Sequence, residues 1–329
     1  MMKYPHTRMR RLRSDDFIRR LVAESRLSPD DLVQPLFVHN EKQDTPAPSM
    51  PGICRLSMDG LWRACEKALR LGIPAVAVFP VVETADKDDD GTGALNPQGL
   101  IPRALGGIKE RFPQLGTIAD VALDPYTSHG HDGVLGSGGR VENDRSVAVL
   151  ARQAVMLAQA GADIVAPSDM MDGRVFAIRA ALENAGLTDA KILSYAAKYA
   201  SAFYAPFRAA LGSGGALGGK DKRDYQMHPA NRREALLEMR LDLDEGADML
   251  MVKPAMPYLD IVREAADAFD KPVLAYQVSG EYAMLHSLGG GDDDVLRPIV
   301  METMLSFKRA GARAVLTYFA ADIAGWLKG

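Results

Sequence analysis

From about residue 32 onward the chain alternates short apolar runs of strand character with segments of helical spacing, and this alternation restricts the fold more than any other feature. The runs are LVQPLFVHN (32–40), AVAVFPVV (75–82), GTIADVALD (116–124), ADIVAPSD (162–169), KILSYAAKY (191–199), ADMLMVKPA (247–255), PVLAYQVSG (272–280) and AVLTYF (314–319). Between them lie helical stretches such as SVAVLARQAVMLAQA (146–160) and ANRREALLEMRLDLDE (230–245). Several strands follow a glycine that stops the preceding helix, as in AGADIV, EGADML and AGARAV. Roughly eight such units, fairly regularly spaced, predict an α/β fold of the (β/α)8 TIM barrel type. A doubly wound open sheet is the competing arrangement. It normally carries a glycine-rich fingerprint after its first strand, and FVHNEKQDTPAPSMPG has none. Residues 1–30 fall outside the alternation and are expected to form an N-terminal arm, leaving 31–329 as the barrel.

Composition narrows the function classes. A formal net charge of −4 argues against a protein that lives on nucleic acid phosphates. The basic N-terminal residues Arg10, Arg11, Arg13, Arg19 and Arg20 are therefore expected to form a solvated or subunit-wrapping arm. That segment lacks the apolar core of a signal peptide, and no run approaches the ~18 apolar residues of a membrane span. The two cysteines, Cys54 and Cys65, have no metal-ligand spacing and fit a reducing compartment. The expectation is a cytoplasmic protein with neither nucleic acid nor membrane as a partner.

The segment DMLMVKPAMPYLD drives a lysine, Lys253, to the end of a run that reads as a fully buried strand, where Pro254 must stop the ladder. In a barrel, strand carboxyl ends face the active-site mouth. Reading those ends gives Asp120, Asp124, Ser168, Asp169, Lys198, Lys253, Ser279 and Tyr318. Two of these are lysines on consecutive strands, and adjacent strands lie ~4.8 Å apart, so both amines can share one pocket. Apolar walls and a like charge both lower a lysine pKa, and a neutral amine is what imine formation with a ketone requires. The bland alternative is that either lysine reaches solvent or pairs with a carboxylate.

The segment DVALDPYTSHGHDG gathers Asp120, Asp124, His129, His131 and Asp132, and aspartates suit hard ions such as magnesium better than zinc. DKDDDGTGALNP (86–97) imitates a calcium loop but places Pro97 where a bidentate glutamate is needed, so it reads as a solvated acidic loop. The glycine-rich stretch near 208–226, with Lys220, Lys222 and Arg223, is long for a barrel loop and suggests a lid meeting an anionic substrate. Arg208, Lys222 and Gln226 offer donors for one carboxylate; Tyr276, Ser279 and Tyr318 offer donors for a second. A class I aldolase acting on sugar phosphates is a rival, but the acidic GGGDDD is a poor phosphate loop. A scaffold protein using the basic arm leaves the paired lysines unexplained.

LSYAAKYASAFYAPFR, ADMLMVKPAMPYLD, DVALDPYTSHGHDG and YQVSGEYAM together resemble the porphobilinogen synthase (δ-aminolevulinic acid dehydratase) family, and the resemblance runs from RMRRLR to TYFAADIAGWL. It implies condensation of two 5-aminolevulinate molecules to porphobilinogen with loss of two waters, in tetrapyrrole biosynthesis. It also implies an arm that embraces a neighbouring subunit and assembly as a homo-octamer. By the family pattern Lys253 carries the A-site Schiff base and Lys198 the P-site one. Arg208, Lys222 and Gln226 match the A-site carboxylate binders, and Ser279 and Tyr318 the P-site ones. Phe207 and Tyr276 match residues that close the pocket. Where zinc-dependent members carry three cysteines this chain has Ala122, Asp124 and Asp132, so no catalytic zinc is expected. The resemblance is to the aspartate-rich, magnesium-responsive branch, with Glu238 matching the acidic residue of an allosteric Mg2+. Asp124 and Asp132 are left open between a monovalent or divalent ion and the substrate amine, with direct use of Asp124 on the amine ranked first.

Overall fold

The computed structural model describes residues 2–204 and 221–328. Each of the eight apolar runs contains a strand: β1 Leu32–Val38, β2 Ala75–Pro80, β3 Gly116–Val121, β4 Ile164–Pro167, β5 Lys191–Lys198, β6 Met249–Lys253, β7 Val273–Tyr276 and β8 Ala314–Leu316. All neighbouring pairs are parallel, and β8 closes onto β1 through Leu32↔Val315 and Val33↔Leu316. The sheet is therefore the expected (β/α)8 barrel, whose strands are buried on both faces and so read as near-continuous apolar runs.

The helices that cover it are α1 Met58–Leu71, α2 Leu100–Arg111, α3 Asn143–Gln159, α4 Arg174–Asn184, α5 Arg233–Asp244, α6 Leu259–Ala268, α7 Ser279–Gly289, α8 Asp293–Ala310 and α9 Ala320–Lys328. Local signals set their limits. In α1 the Ser57 side chain accepts from the Gly60 N–H at 3.1 Å, and Gly72 ends the helix at φ 81°, a conformation that favours glycine. Gly60, Leu61, Cys65 and Ala68 form its buried face.

The strands are shorter at their carboxyl ends than the apolar runs. The run 272–280 yields only Val273–Tyr276, and 314–319 only Ala314–Leu316. The remaining apolar residues leave the ladder and build the barrel mouth. Ser279 is accordingly the first residue of α7 rather than the end of a strand. Inside the mouth an aromatic floor forms: Phe37 stacks on Tyr318 at 5.7 Å between ring centroids, Phe79 lies 6.3 Å from Tyr276, and Tyr195 meets Tyr276 edge-on at 6.3 Å. Such pairs contribute ~0.5–1.5 kcal/mol each beyond area burial, and here they stiffen the floor on which the site stands.

The N-terminal segment forms two short turns of helix, Met9–Arg13 and Asp16–Leu21, with no buried residue in either. Phe17 and Leu21 are exposed. Among the described residues no helix is long and apolar enough to cross a membrane.

Candidate active site

Lys198 and Lys253 end β5 and β6 and stand directly opposite one another in the parallel register. Both side chains are buried, each residue being 6% exposed. Their surroundings differ. The Lys253 Nζ lies 4.5 Å from the centroid of Tyr276, 5.1 Å from Tyr195 and 5.6 Å from Tyr204. Burial among these rings, reinforced by the charge of Lys198, pushes the Lys253 amine down to about 7. The backbone carbonyl of Lys253 accepts from the Tyr199 N–H at 3.0 Å and the Tyr204 hydroxyl at 2.9 Å, which fixes the root of the side chain.

Lys198 instead donates to the Ser168 carbonyl and to Asp132 Oδ2 at 3.2 Å. Asp132 is the hub of this half. Its carboxylate also accepts from Lys222 Nζ at 2.5 Å and Gln226 Nε2 at 3.2 Å. Burial alone would raise the Asp132 carboxyl, but Lys198 and Lys222 beside it hold it well below the usual carboxylate range. Lys222 reaches Asp124 Oδ2 as well, at 3.2 Å. Asp120, inside β3, has a buried Oδ1 without a hydrogen-bond partner among the described residues. Desolvation, followed by the charge of Asp124, pushes its carboxyl up to about 7, while Lys253, a hydrogen bond from Ser168 and Lys198 oppose the shift.

Asp120, Asp124, Asp132, Lys198, Lys222, Gln226, Lys253 and Tyr276 are linked around one barrel mouth. The neighbours of each lysine differ from the expected pairing of Lys253 with Lys222 and Gln226 and of Lys198 with Ser279 and Tyr318. Lys222 and Gln226 share Asp132 with Lys198, whereas Tyr276 stands over Lys253 and its hydroxyl meets that of Tyr318 at 3.2 Å. Strand order accounts for these neighbours: β6 lies between β5 and β7, which ends on Tyr276, and the Asp132 loop after β3 reaches β5 over β4. Ser279 is fully buried at the start of α7, and its Oγ has no partner among the described residues. Arg208 and Phe207 lie outside the described residues, as does most of the proposed lid.

Sequence reasoning missed Tyr195, Tyr204 and Tyr225. The pairing of β5 with β6 shifts register between Ser194 and Ala197, so strand alternation does not carry through from Tyr195 to Lys198. Tyr225 falls in the stretch read as a lid, yet its hydroxyl accepts from the Asp132 N–H at 3.2 Å and lies 3.2 Å from His131 Nδ1.

Among the described residues no group of three or more His, Cys, Asp or Glu gathers to hold an ion. Cys65 is buried in α1 and Cys54 sits in a short hairpin strand, so neither thiol belongs to the mouth. The Asp124 and Asp132 carboxylates are bound by lysine ammonium groups. Glu238 lies apart, on α5, lining a cavity of about 410 Å3 together with Asn143, Asp172, Tyr225, Gln226 and Glu234. Burial raises its carboxyl pKa against the pull of Arg174. Mg2+ keeps several waters and takes only one or two protein carboxylates, and this polar cavity offers Glu238 with Glu234 and Asp172 also on its wall.

Fold and site define a (β/α)8 barrel enzyme with a paired-lysine pocket. The delta-aminolevulinic acid dehydratase family model matches residues 6–326, and the chain belongs to that family. It is 53% identical to the delta-aminolevulinic acid dehydratase of Bradyrhizobium diazoefficiens over 326 residues, 98% of this chain and 91% of the relative. It is 50% identical to that of Halalkalibacterium halodurans, covering 97% of this chain and 96% of the relative. The crystal structure of the Toxoplasma gondii ME49 delta-aminolevulinic acid dehydratase (porphobilinogen synthase), in complex with the reaction product porphobilinogen, superposes with a TM-score of 0.95 at 50% identity. That superposition covers 97% of this chain and 91% of the other.

Proposed function

We propose that this chain condenses two molecules of 5-aminolevulinate to porphobilinogen, holding each ketone as a Schiff base on Lys198 or Lys253. Family membership and the product named in the Toxoplasma structure support the reaction. The observation that carries the mechanism is the in-register lysine pair, one member of which is uncharged near neutral pH. Each amine attacks a ketone carbon and the carbonyl oxygen leaves as water, giving the two waters of the overall reaction. A protonated imine acidifies the adjacent C–H, and the enamine left after proton loss is the carbon nucleophile. That enamine carbon attacks the second imine carbon to make the C–C bond, the second substrate's amine adds to the first imine carbon to make the C–N bond, and each lysine leaves as its free amine, with proton loss from carbon completing the pyrrole. Asp120, with its free oxygen beside both lysines and a carboxyl near 7, is suited to carry the protons.

Lys222 and Gln226, with Arg208, hold the carboxylate of the substrate on Lys198; Ser279 and Tyr318 hold that of the substrate on Lys253. When Lys222 turns to a carboxylate, Asp124 is released to take the substrate ammonium. Phe207 and Tyr276 close the pocket. The chain falls in the magnesium-responsive branch, with Glu238 as ligand to an allosteric Mg2+ that supplies structural support and takes no part in the reaction steps. Three nitrogen donors on Asp132 favour its use as a counter-ion over use as a ligand for a monovalent cation. The exposed Phe17 and Leu21 of the arm support a homo-oligomer, an octamer by the family pattern, in which residues 1–30 lie on a neighbour.

The test is incubation with 5-aminolevulinate, with and without EDTA, Mg2+ or Zn2+, followed by porphobilinogen assay, borohydride trapping and peptide mapping. Activity that survives EDTA, rises with Mg2+ and ignores Zn2+, with adducts at both lysines, is the expected result. Absence of product and of both adducts would sink the reading.

A further inference from the structure

The motif YQVSGEYAM contains a carboxylate that the reaction does not use. Glu281, in the first turn of α7, is fully buried. Its Oε1 accepts the Met256 N–H at 2.7 Å and its Oε2 the Val278 N–H at 2.5 Å, with the Ala255 N–H as a further donor. Ala255 and Met256 are the second and third residues after Lys253, while Val278 follows β7, which carries Tyr276. One carboxylate therefore ties the turn behind one of the two lysines to the strand whose tyrosine lies nearest that lysine's amine.

A second observation places α7 as a fixed anchor. A Cβ at Gly280 would sit 2.4 Å from the Phe203 carbonyl, so the helix start packs backbone to backbone against the segment that carries Tyr204. Tyr204 in turn donates to the Lys253 carbonyl at 2.9 Å. The bond from Gln277 Nε2 to Met256 Sδ at 3.7 Å adds a further tie between the two turns. A surface loop satisfied by water needs none of this. Two hydrogen bonds to one carboxyl, at a place water does not reach, tie the two turns together through a single side chain.

We propose that Glu281 is a positioning residue for Lys253, fixing the turn behind it so that the amine is aimed at its ketone, with no corresponding hold on Lys198. This rests on the Schiff-base reading above. The amide of Glu281→Gln can accept through only one atom and faces at least one backbone donor with another donor. The lysine is then free to wander, and small misplacements of a reacting group lower rates steeply.

The experiment is a time course of borohydride trapping with 5-aminolevulinate on the full-length oligomer, read separately at each lysine by peptide mapping. Glu281→Gln is expected to slow the Lys253 adduct about tenfold and to change the Lys198 adduct less than about twofold. Glu281→Asp, which keeps the carboxyl but withdraws it by one methylene, is expected to give the same selective loss at smaller size and covers the case where the amide variant fails to fold. Asp163→Asn serves as the control. Asp163 is a similar backbone-binding carboxylate, accepting from the Thr117 N–H at 2.8 Å, but it stands just before β4 at the opposite end of the barrel. It is expected to lower the melting temperature with both adduct rates intact. Equal slowing at both lysines in the Glu281 variants, or no slowing at Lys253, overturns the positioning role alone. No adduct at either lysine in the unmodified protein takes down the Schiff-base reading with it.

Discussion

Lys198 and Lys253 are the same residue type, in register on neighbouring strands and equally buried, yet the protein prepares them in opposite ways. Lys198 is gripped by oxygens, the Ser168 carbonyl and the Asp132 carboxylate, and shares that carboxylate with Lys222. Lys253 faces three phenol rings and has its amine pushed down to about 7. Strand position thus brings the amines together but does not decide their chemistry. Their surroundings decide it: Tyr195 of β5, Tyr204 just after β5 and Tyr276 at the end of β7 wall in one lysine, and the loop after β3 brings Asp132 to the other. One amine stands in an apolar cage; the other is tied into a network of oxygens.

The most severe way to break the comparison is to delete either amine. Lys198→Ala and Lys253→Ala are each expected to lower porphobilinogen formation by at least about 10³-fold, with borohydride trapping retained at the remaining lysine. Substantial turnover in either variant contradicts a two-imine mechanism. Asp120→Asn comes next, with about a 100-fold fall in kcat, the range of a lost proton carrier. It also carries a stability signature of definite sign. Between about pH 4 and 7 the folded Asp120 keeps a proton that the unfolded chain has lost, so native stability falls as pH rises. Between about 7 and 10.5 the folded Lys253 lacks a proton that the unfolded chain holds, so stability rises again. These two groups therefore make the site most costly near the pH where an uncharged amine is wanted. Asp120→Asn is expected to unfold at higher urea than the unmodified protein at pH 7 while losing activity; a lower midpoint would count against the raised carboxyl.

Much of this was legible in the sequence because barrels bury their strands on both faces. Eight apolar runs gave eight strands, and Lys198 and Lys253 both stood at strand ends as read. Which side chains stand beside each lysine was not legible. It depends on which loop leans over which strand, and the Asp132 loop crosses β4 to reach β5. Tyr195 was hidden by the register shift in its own strand, and Ser279 was misplaced by the early end of β7. Glu281 gave no signal as a functional residue, since a glutamate in the first turn of a helix is ordinary capping chemistry until its partners are seen.

Asp132→Asn attacks the ionic half. Removing one member of a buried charge cluster strands its partners, which typically costs ~3–5 kcal/mol. A loss near the lower end of that range is expected, because the Ser168 carbonyl and Asp124 remain as partners for Lys198 and Lys222. The sign with pH follows from the depressed carboxyl. Its contribution is complete above the ordinary carboxylate value of about 3.9 and is lost as pH falls below it. The variant should therefore show a lower urea midpoint at pH 7 and a flatter acid limb. A variant with unaltered stability at pH 7 would mean that Lys198 and Lys222 do not depend on this carboxylate.

The smallest expected effect sharpens the comparison most, because it changes the apolar half without touching either amine. The ring of Tyr276 is the nearest of the three to the Lys253 Nζ, and burial is the largest cause of that amine's low pKa. Tyr276→Gln replaces part of the wall with a polar group that admits water, so the pH midpoint for trapping at Lys253 should move upward by about one pH unit. Tyr276→Phe keeps the wall and loses only the 3.2 Å bond to Tyr318, so its midpoint should stay near 7. The Lys198 profile should be the same in both variants, since Tyr276 is not among the groups that bind that amine. If the Phe and Gln variants shift together, the hydroxyl pair rather than the ring controls Lys253. If neither shifts, the charge of Lys198 rather than desolvation sets the amine, and the two halves of the site are less independent than their geometry implies.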